Sequence, residues 1–202
     1  MRGLYLVTPD WDDTSRLAEV TRRALEGGAS LVQYRNKTAS EALRFEQASA
    51  LLALCRQFAT PLVINDHVEL CTRLDADGVH VGGTDAPLAA VRAALGPGKI
   101  VGASCYGRFE LAEAAQAAGA SYVAFGGFYP SRVKMYEVST PPEIVARAKA
   151  ALSVPVVVIG GMTVENARPL VGLGADMVAA ISSVAGAADP CVAAQAFAAL
   201  FP

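Results

Sequence analysis

The hydrophobic residues form short continuous runs, separated by alanine-rich stretches, along the whole chain. Bounded runs of this kind predict β-strands, at residues 4–7, 31–34, 62–64, 79–81, 100–103, 122–125, 156–159 and 177–180. The runs are apolar throughout and do not alternate with polar residues. They are therefore typical of parallel strands that are covered on both faces.

The stretches between the runs predict helices, at residues 15–26, 40–58, 88–95, 110–118, 142–151, 164–173 and 191–200. Residues 67–74 are long enough for only about two turns at ~3.6 residues per turn, which suits a short crossover between parallel strands. Gly28, Gly119 and Gly174 each begin a similar turn before a strand, where glycine can adopt the left-handed conformation that ends a helix.

Eight strand-helix units in 202 residues match the lower size limit of a (β/α)8 barrel, so we predict one TIM-barrel domain over residues 1–202. An open doubly wound sheet is the alternative, because counting strands does not show that a sheet closes. In a barrel, catalytic side chains lie just after the strands, at their carboxyl ends.

Composition narrows the class of function. The chain is 53% hydrophobic and 18% charged with a formal net charge of −2, which indicates a folded protein without a general basic face for nucleic acid. No apolar stretch approaches the ~20 residues of a membrane span, and the amino terminus has no signal-peptide core, so we expect a cytoplasmic protein. The scattered Cys55, Cys71, Cys105 and Cys191 argue against a zinc site or a disulfide framework.

Two carboxylates, Asp66 and Asp85, follow the third and fourth predicted strands. Acidic side chains at the ends of neighbouring parallel strands form a hard oxygen site that suits Mg²⁺, which usually takes one or two protein carboxylates and keeps its other positions for water and phosphates. Each aspartate could instead cap the helix that follows it. The residues alone leave both interpretations open.

Strand 2 ends in Gln33, Arg35 and Lys37, and alternation along a strand directs these side chains to one side. Two cations and an amide that converge on one point can hold a diphosphate. The alternative is a solvated strand end with one residue capping the next helix. Ser104, after strand 5, can likewise orient a phosphate oxygen or cap a helix.

The longest irregular stretch, residues 126–141, follows strand 6 and contains Ser131 and Lys134. A loop of roughly fifteen residues in a compact barrel is more often a substrate lid than a passive connection. We therefore predict that Lys134 is a mobile cationic arm.

Strand 7 ends in Gly160 and Gly161, and strand 8 in Ile181 and Ser182. Loops after these two strands often bind phosphate in a TIM barrel through backbone amides that glycine leaves open. We expect a second anion site here, with ordinary glycine turns as the alternative.

Several polar residues have plainer interpretations. We expect His80 to fill a core layer of strand 4 and His67 to start a helix, since neither has partners arranged as a catalytic triad. The segment that ends in Asp10, after strand 1, is interpreted as a turn and no more.

The strand ends, taken together, closely resemble those of the bacterial thiamine phosphate synthase family. The shared segments are VQYRNK, IND, DGVHVGGTD, GASC, FGGFYPSRVK, VIGGMT and AIS, in this order, and the resemblance covers residues 4–202. It implies a barrel that joins 4-amino-5-hydroxymethyl-2-methylpyrimidine diphosphate to a thiazole phosphate or its carboxylate, forming thiamine phosphate and pyrophosphate. The implied partners are these small molecules and Mg²⁺, with no nucleic acid or membrane; a homo-oligomer stays open.

Transferred residue by residue, the resemblance assigns a role to each strand end. The pyrimidine diphosphate is held by Gln33, Arg35, Lys37 and Asn65, and Mg²⁺ by Asp66 and Asp85. The departing pyrophosphate is contacted by Ser104 and Lys134, and the thiazole phosphate by Ser131, Gly160 or Gly161, Ile181 and Ser182. The implied mechanism breaks the C–O bond first, and the thiazole nitrogen captures the pyrimidine cation. Catalysis is then electrostatic, by Arg35, Lys37, Ser104 and Lys134, without a protein nucleophile.

Three positions depart from the family pattern: Gly83 replaces a usual Gln, Val133 a usual Thr, and Ser131 another Thr. The alternatives are a thiazole tautomerase, which relies on a histidine where this chain has Tyr106, and a non-catalytic protein that binds thiamine precursors. A sugar-phosphate epimerase lacks support, because no acid/base pair of carboxylates faces across the predicted barrel.

Overall fold

Eight parallel strands close into a barrel in the order of the sequence. The computed structural model describes residues 1–82, 87–130 and 140–201. The strands are β1 (Gly3–Val7), β2 (Ala29–Tyr34), β3 (Leu62–Asn65), β4 (Gly78–Val81), β5 (Ile100–Tyr106), β6 (Tyr122–Gly126), β7 (Val156–Ile159) and β8 (Met177–Ala180). Because β8 pairs in parallel with β1, the sheet has no open edge. The predicted (β/α)8 barrel is confirmed, and the open sheet is excluded.

Helices surround the barrel and follow the strands in turn. Those in the described ranges are α1 (Thr14–Glu26), α2 (Glu41–Gln57), α3 (Val68–Leu74), α4 (Leu88–Leu95), α5 (Phe109–Ala117), α6 (Glu143–Ala151), α7 (Val164–Gly172), α8 (Ser182–Ala185) and α9 (Pro190–Ala198). The sequence did not predict α8, since a four-residue helix is too short to show helical periodicity. In the described part of the chain, no helix has the length and apolar character needed to cross a membrane.

The strands are buried on both faces, as their continuous apolar runs predicted. One face points into the barrel and contributes a compact inner cluster: Tyr5, Leu31, Val63, Tyr122, Val157 and Met177. The other face packs against the helices, with Leu6, Val79 and Val158 among the buried side chains of this outer layer. The inner cluster closes the barrel below the ends of the strands, so any ligand site must lie at its mouth.

Polar side chains fix the starts of several helices. Asp13 caps α1, Ser40 caps α2, and Thr163 forms a reciprocal capping box with Asn166 at α7. Since each of these helices begins after a strand, the caps order the loops at the carboxyl ends of the strands.

Candidate active site

The side chains that follow β2 and β3 form what we call the charged rim: Arg35, Lys37, Asn65 and Asp66. Arg35 is only 6% exposed, and its Nη1 lies 2.9 and 2.8 Å from the two carboxylate oxygens of Asp10. Its Nε is buried and has no hydrogen-bond partner in the structure as described. A buried donor without a partner is costly, which indicates that Arg35 is prepared for an anion.

The segment after β1 holds Arg35 in place. Asp10 also accepts a hydrogen bond from the backbone N–H of Lys37 at 2.8 Å. Thr8 Oγ1 accepts from the Arg35 backbone N–H at 2.8 Å and donates to its carbonyl oxygen at 2.9 Å. The sequence missed these roles because the partners are 25 and 27 residues apart along the chain. A sequence pattern that predicts a turn does not indicate which distant residues the turn will contact.

Asp66 lies at the mouth of the barrel in a left-handed backbone conformation, with φ 62°. Its N–H donates to the His80 carbonyl oxygen at 2.9 Å, and Asn65 Nδ2 donates to its Oδ2 at 2.6 Å. The N-cap residue of α3 is His67, so Asp66 does not have the capping role that was the alternative. Non-glycine residues in this conformation are uncommon and concentrate at functional sites.

The donor chemistry at Asp66 fits Mg²⁺. A carboxylate at a strand end supplies the hard oxygen that this ion prefers. The described residues contain no cluster of three or more His, Cys, Asp or Glu side chains that could hold a metal. An ion held by one or two carboxylates and by substrate oxygens is compatible with such a site. The predicted second ligand, Asp85, lies outside the described residues.

A pocket opens at the mouth of the barrel and brings several predicted residues together. Its polar lining is Gln33, Arg35, Asn65, His80, Ser104 and Tyr106, and Ile181 lines it as well. Lys37 and Asp66 line an adjoining depression that shares Asn65 with the pocket. The structure thus gathers the predicted side chains of strands 2, 3 and 5 around one space. Lys37 stays exposed at its edge.

A chain of hydrogen bonds runs from this pocket through the inside of the barrel. Gln33 Nε2 donates to the Tyr5 hydroxyl, which lies 2.6 Å from the Tyr122 hydroxyl. His80 then bridges Tyr122 to Ser104, with Nδ1 at 2.9 Å from the phenol oxygen and Nε2 at 2.8 Å from Oγ. Burial raises the pKa of both tyrosines well above the usual value, so both phenols stay neutral. His80 is buried as expected, but its two partners were not predicted.

The residues that follow β7 and β8 form what we call the glycine rim: Gly160, Gly161, Ile181 and Ser182. Gly160 has φ 113° and Gly161 has φ 60°, backbone conformations that residues with a side chain rarely adopt. A Cβ on Gly161 would lie 2.3 Å from the Pro130 carbonyl oxygen. The loop after β7 therefore packs directly on the loop after β6. Ser182 is the first residue of α8 and is exposed.

Three predicted site residues, Asp85, Ser131 and Lys134, lie outside the described residues, as do the departures Gly83 and Val133. The two ends of the segment that holds Lys134 are described. Thr140 donates its backbone N–H to the Gly127 carbonyl oxygen at 2.9 Å and its hydroxyl to the Gly126 carbonyl. The segment thus leaves and re-enters the barrel at one point.

The buried thiols are unsuited to nucleophilic chemistry. Burial raises the pKa of the Cys105 thiol to about 12, and Cys55 and Cys71 are shifted by the same cause to about 12 and about 11. A thiol reacts as its thiolate, and these groups hold their protons at neutral pH. Cys105, which follows Ser104 in β5, is therefore a packing residue.

Comparison with known proteins agrees with this site. A family model described as thiamine monophosphate synthase matches residues 4–184. The thiamine-phosphate synthase of Janthinobacterium sp. (strain Marseille) is 64% identical over 201 residues, covering 100% of this chain and 97% of the relative. That of Methylobacillus flagellatus is 49% identical, covering 100% and 96%.

Solved structures extend the comparison. Thiamine phosphate pyrophosphorylase from Pyrococcus furiosus has a TM-score of 0.86 at 32% identity, covering 98% of this chain and 94% of that one. A 3-hexulose-6-phosphate synthase, with a TM-score of 0.74 at 20% identity over the full length of both chains, shares the fold alone. The chain therefore belongs to the thiamine monophosphate synthase family, and it is an enzyme of the transferase class.

Proposed function

We propose that the enzyme condenses hydroxymethylpyrimidine diphosphate with a thiazole phosphate or its carboxylate, in a Mg²⁺-dependent reaction that yields thiamine phosphate and pyrophosphate. The observation that carries this proposal is the state of Arg35. This cation lines the pocket, is almost fully buried and keeps an unpartnered Nε. The names of the relatives support thiamine phosphate as the product, and Arg35 supports an anionic leaving group at this place.

Arg35 and Lys37 serve the leaving diphosphate in this proposal. As the C–O bond breaks, negative charge accumulates on the phosphate oxygens, and cations fixed nearby stabilise that charge without reorganising. Asp10 accepts only from Nη1 of the guanidinium, so the ion pair orients Arg35, and the buried Nε has no partner among the described residues. Asn65 adds an amide beside the diphosphate. Lys134 would also contact the departing pyrophosphate.

Asp66, together with Asp85, would hold Mg²⁺ against the diphosphate. When bound, the ion would supply positive charge to the leaving group. Asn65 orients the Asp66 carboxylate through its 2.6 Å hydrogen bond, and the backbone bond to His80 fixes the left-handed turn. Both contacts hold the carboxylate at the mouth in the absence of a ligand, which lowers the cost of binding.

The glycine rim would bind the thiazole phosphate, with Ser131 from the loop after β6. Backbone groups suit this task, because a phosphate that does not leave needs positioning rather than added charge. Holding the thiazole nitrogen across the pocket from the pyrimidine makes capture of the cation intramolecular in effect. No protein nucleophile is needed for either step.

The test is pyrophosphate release from the purified protein given both substrates, with Mg²⁺ present or chelated. We expect release that depends on Mg²⁺ and is matched by thiamine phosphate. Binding of the pyrimidine diphosphate without release would support a non-catalytic binding protein instead. Aromatisation of the thiazole without any pyrimidine substrate would support a tautomerase.

Asp66→Asn tests the metal assignment in the same assay. Asparagine tolerates the left-handed conformation, so we expect the fold to persist while Mg²⁺-dependent turnover is lost. Asp75→Asn is the matched control, since Asp75 has φ 52° and lies at the end of α3, away from the mouth. Retained activity in Asp66→Asn, or equal loss in Asp75→Asn, would remove Asp66 from the metal site.

A further inference from the structure

The chain of hydrogen bonds inside the barrel links two side chains of the pocket, Gln33 and Ser104. The sequence and the family resemblance assign each of them a separate contact with the substrate. We propose that Tyr5, Tyr122 and His80 are positioning residues that couple Gln33 to Ser104, so that Gln33 presents an acceptor to the pocket and Ser104 presents a donor. The coupling itself follows from geometry. What its two ends bind rests on the proposed function.

The chain of hydrogen bonds crosses the inside of the barrel. It begins on β2 at Gln33, passes through Tyr5 on β1, Tyr122 on β6 and His80 on β4, and ends at Ser104 on β5. Gln33, Tyr5, Tyr122 and His80 are 4%, 1%, 0% and 7% exposed, respectively. Ring contacts hold the middle members: Tyr122 meets Tyr5 edge-on, with ring centroids 5.7 Å apart, and stacks on the imidazole at 5.6 Å.

The number of available hydrogens fixes which atom donates and which accepts at each bond of the hydrogen-bond chain. Gln33 Nε2 is a donor only, so the Tyr5 oxygen accepts and its own hydrogen goes to Tyr122. The Tyr122 hydrogen then goes to His80 Nδ1, which makes Nε2 the protonated nitrogen of a neutral imidazole. Nε2–H donates to Ser104 Oγ. The hydroxyl hydrogen of Ser104 is left for a ligand.

The opposite end of the chain carries the opposite polarity. With Nε2 of Gln33 engaged by Tyr5, its Oε1 is the atom that remains, and no described residue donates to it. Turning the amide over would reverse every bond and leave a donor at Gln33 and an acceptor at Ser104. The two ends are therefore never alike, and neither can change without the other.

Such a chain is expensive for a merely structural element. Polar groups inside a barrel cost free energy compared with apolar packing, even when they are hydrogen-bonded. The neighbouring interior positions are apolar: Leu31, Val63, Val157 and Met177. Four members of the hydrogen-bond chain line the pocket, and Tyr122 connects them inside the barrel. Their gain is orientation, because a hydroxyl held by His80 cannot rotate its lone pairs towards a ligand oxygen.

The polarity fits the substrate class. A donor at Ser104 suits an anionic oxygen, and hydrogen bonds in series strengthen one another by about 10–30% per bond. An acceptor at Gln33 suits an N–H group on the ring that carries the leaving group. A ligand with an amino-substituted ring and a phosphate ester presents both.

The decisive variant is Tyr122→Phe, which removes one hydroxyl from the middle of the chain and keeps the ring contacts. We expect kcat to fall by about tenfold or more, as for the loss of one oriented donor to a developing anion. Tyr34→Phe is the matched control: Tyr34 is 1% exposed and its hydroxyl binds Gln47 at 2.9 Å, outside the chain. It should lower the melting temperature comparably and leave kcat unchanged.

A double-mutant cycle distinguishes positioning from packing. If Tyr122 acts through Ser104, Tyr122→Phe should change kcat by less than about twofold in a Ser104→Ala background. Full additivity of the two effects would overturn the coupling. Equal losses of kcat in Tyr122→Phe and Tyr34→Phe would do the same, because the effect would then be one of stability.

The direction of the chain has its own readout, which does not depend on turnover. Nitrogen-15 spectra of the histidine rings, assigned with His80→Gln, should show the neutral Nε2–H tautomer for His80. The Nδ1–H tautomer would overturn the proposed direction. If the wild-type protein releases no pyrophosphate, the proposed function fails. The His80 tautomer would then still test the direction of the hydrogen bonds. The double-mutant cycle, repeated on the affinity for inorganic pyrophosphate, would still test the coupling.

Discussion

The charged rim and the glycine rim lie at the same end of the barrel but are built from different kinds of residue. The charged rim works through side chains, and its central cation is held by an ion pair with Asp10. At Gly160 and Gly161 the glycine rim depends on the absence of side chains, since a Cβ there would come within 2.8 or 2.3 Å of the neighbouring loop, respectively.

Under the proposed function, the difference explains how one barrel can distinguish two phosphorylated substrates. A group that leaves with growing negative charge needs fixed cations, which the charged rim supplies. A phosphate that stays on the product needs shape and backbone donors, and extra charge there would hold the product back. We therefore expect changes at the charged rim to alter kcat, and changes at the glycine rim to alter KM for the thiazole phosphate.

The largest effect should come from Arg35→Ala. We expect kcat to fall by about 100-fold or more, because in the proposed reaction Arg35 is the buried cation at the leaving group. The melting temperature should fall too, since Asp10, whose side chain is 29% exposed, loses its partner. Initial rates of pyrophosphate release and thermal melts measure the two effects.

A double variant separates the effect on kcat from the effect on the melting temperature. Adding Asp10→Ala to Arg35→Ala removes the unpaired carboxylate, so stability should return while activity should not. Recovery of turnover in the double variant would mean that Arg35 serves the fold and not the leaving group.

Gly161→Ala should have an intermediate effect and should act on the other substrate. A side chain at φ 60° against the Pro130 carbonyl costs about 1–3 kcal/mol of strain and displaces the loop after β7. KM for the thiazole phosphate should rise, while KM for the pyrimidine diphosphate should stay constant. Gly172→Ala, in α7, is the control: its Cβ would meet nothing within 4 Å, so stability should hold or improve slightly.

The smallest effect should come from Ser182→Ala, with Ser183→Ala as its neighbouring control. One hydrogen bond contributes roughly 0.5–1.5 kcal/mol, so KM for the thiazole phosphate should rise about 2- to 10-fold at constant kcat. The melting temperature should not move, because Ser182 is exposed. A rise in KM for the pyrimidine diphosphate instead would exchange the substrates assigned to the two rims.

The sequence predicted the barrel because its physical rule is local and repeated. Each strand is a continuous apolar run, which only burial on both faces explains, and the structure has strands at every predicted position. The short helix α8 was missed because its four residues complete barely one turn. Ile181 and Ser182 follow β8 as predicted, but the sequence did not show that Ser182 begins that helix.

Part of the site was also predictable, since a parallel barrel brings the carboxyl ends of all its strands to one face. Gln33, Arg35, Asn65 and Ser104 meet there as expected. The bond from Asp10 to Arg35 was not predictable, nor was the chain through Tyr5, Tyr122 and His80. Such contacts depend on the stagger of the closed sheet, which fixes which side chains face each other across the interior. The sequence of each strand, taken separately, does not specify this stagger.

Thr140 has a consequence for how this enzyme can vary. It ties the return of the chain to Gly126 and Gly127, where the segment departs. The two ends are therefore joined by bonds that do not involve residues 131–139. Each doubling of a loop costs only about 0.6 kcal/mol of closure entropy. Insertions or grafted sequences between Pro130 and Thr140 should thus leave the barrel intact, so that evolution or a protein engineer can exchange this piece as a module.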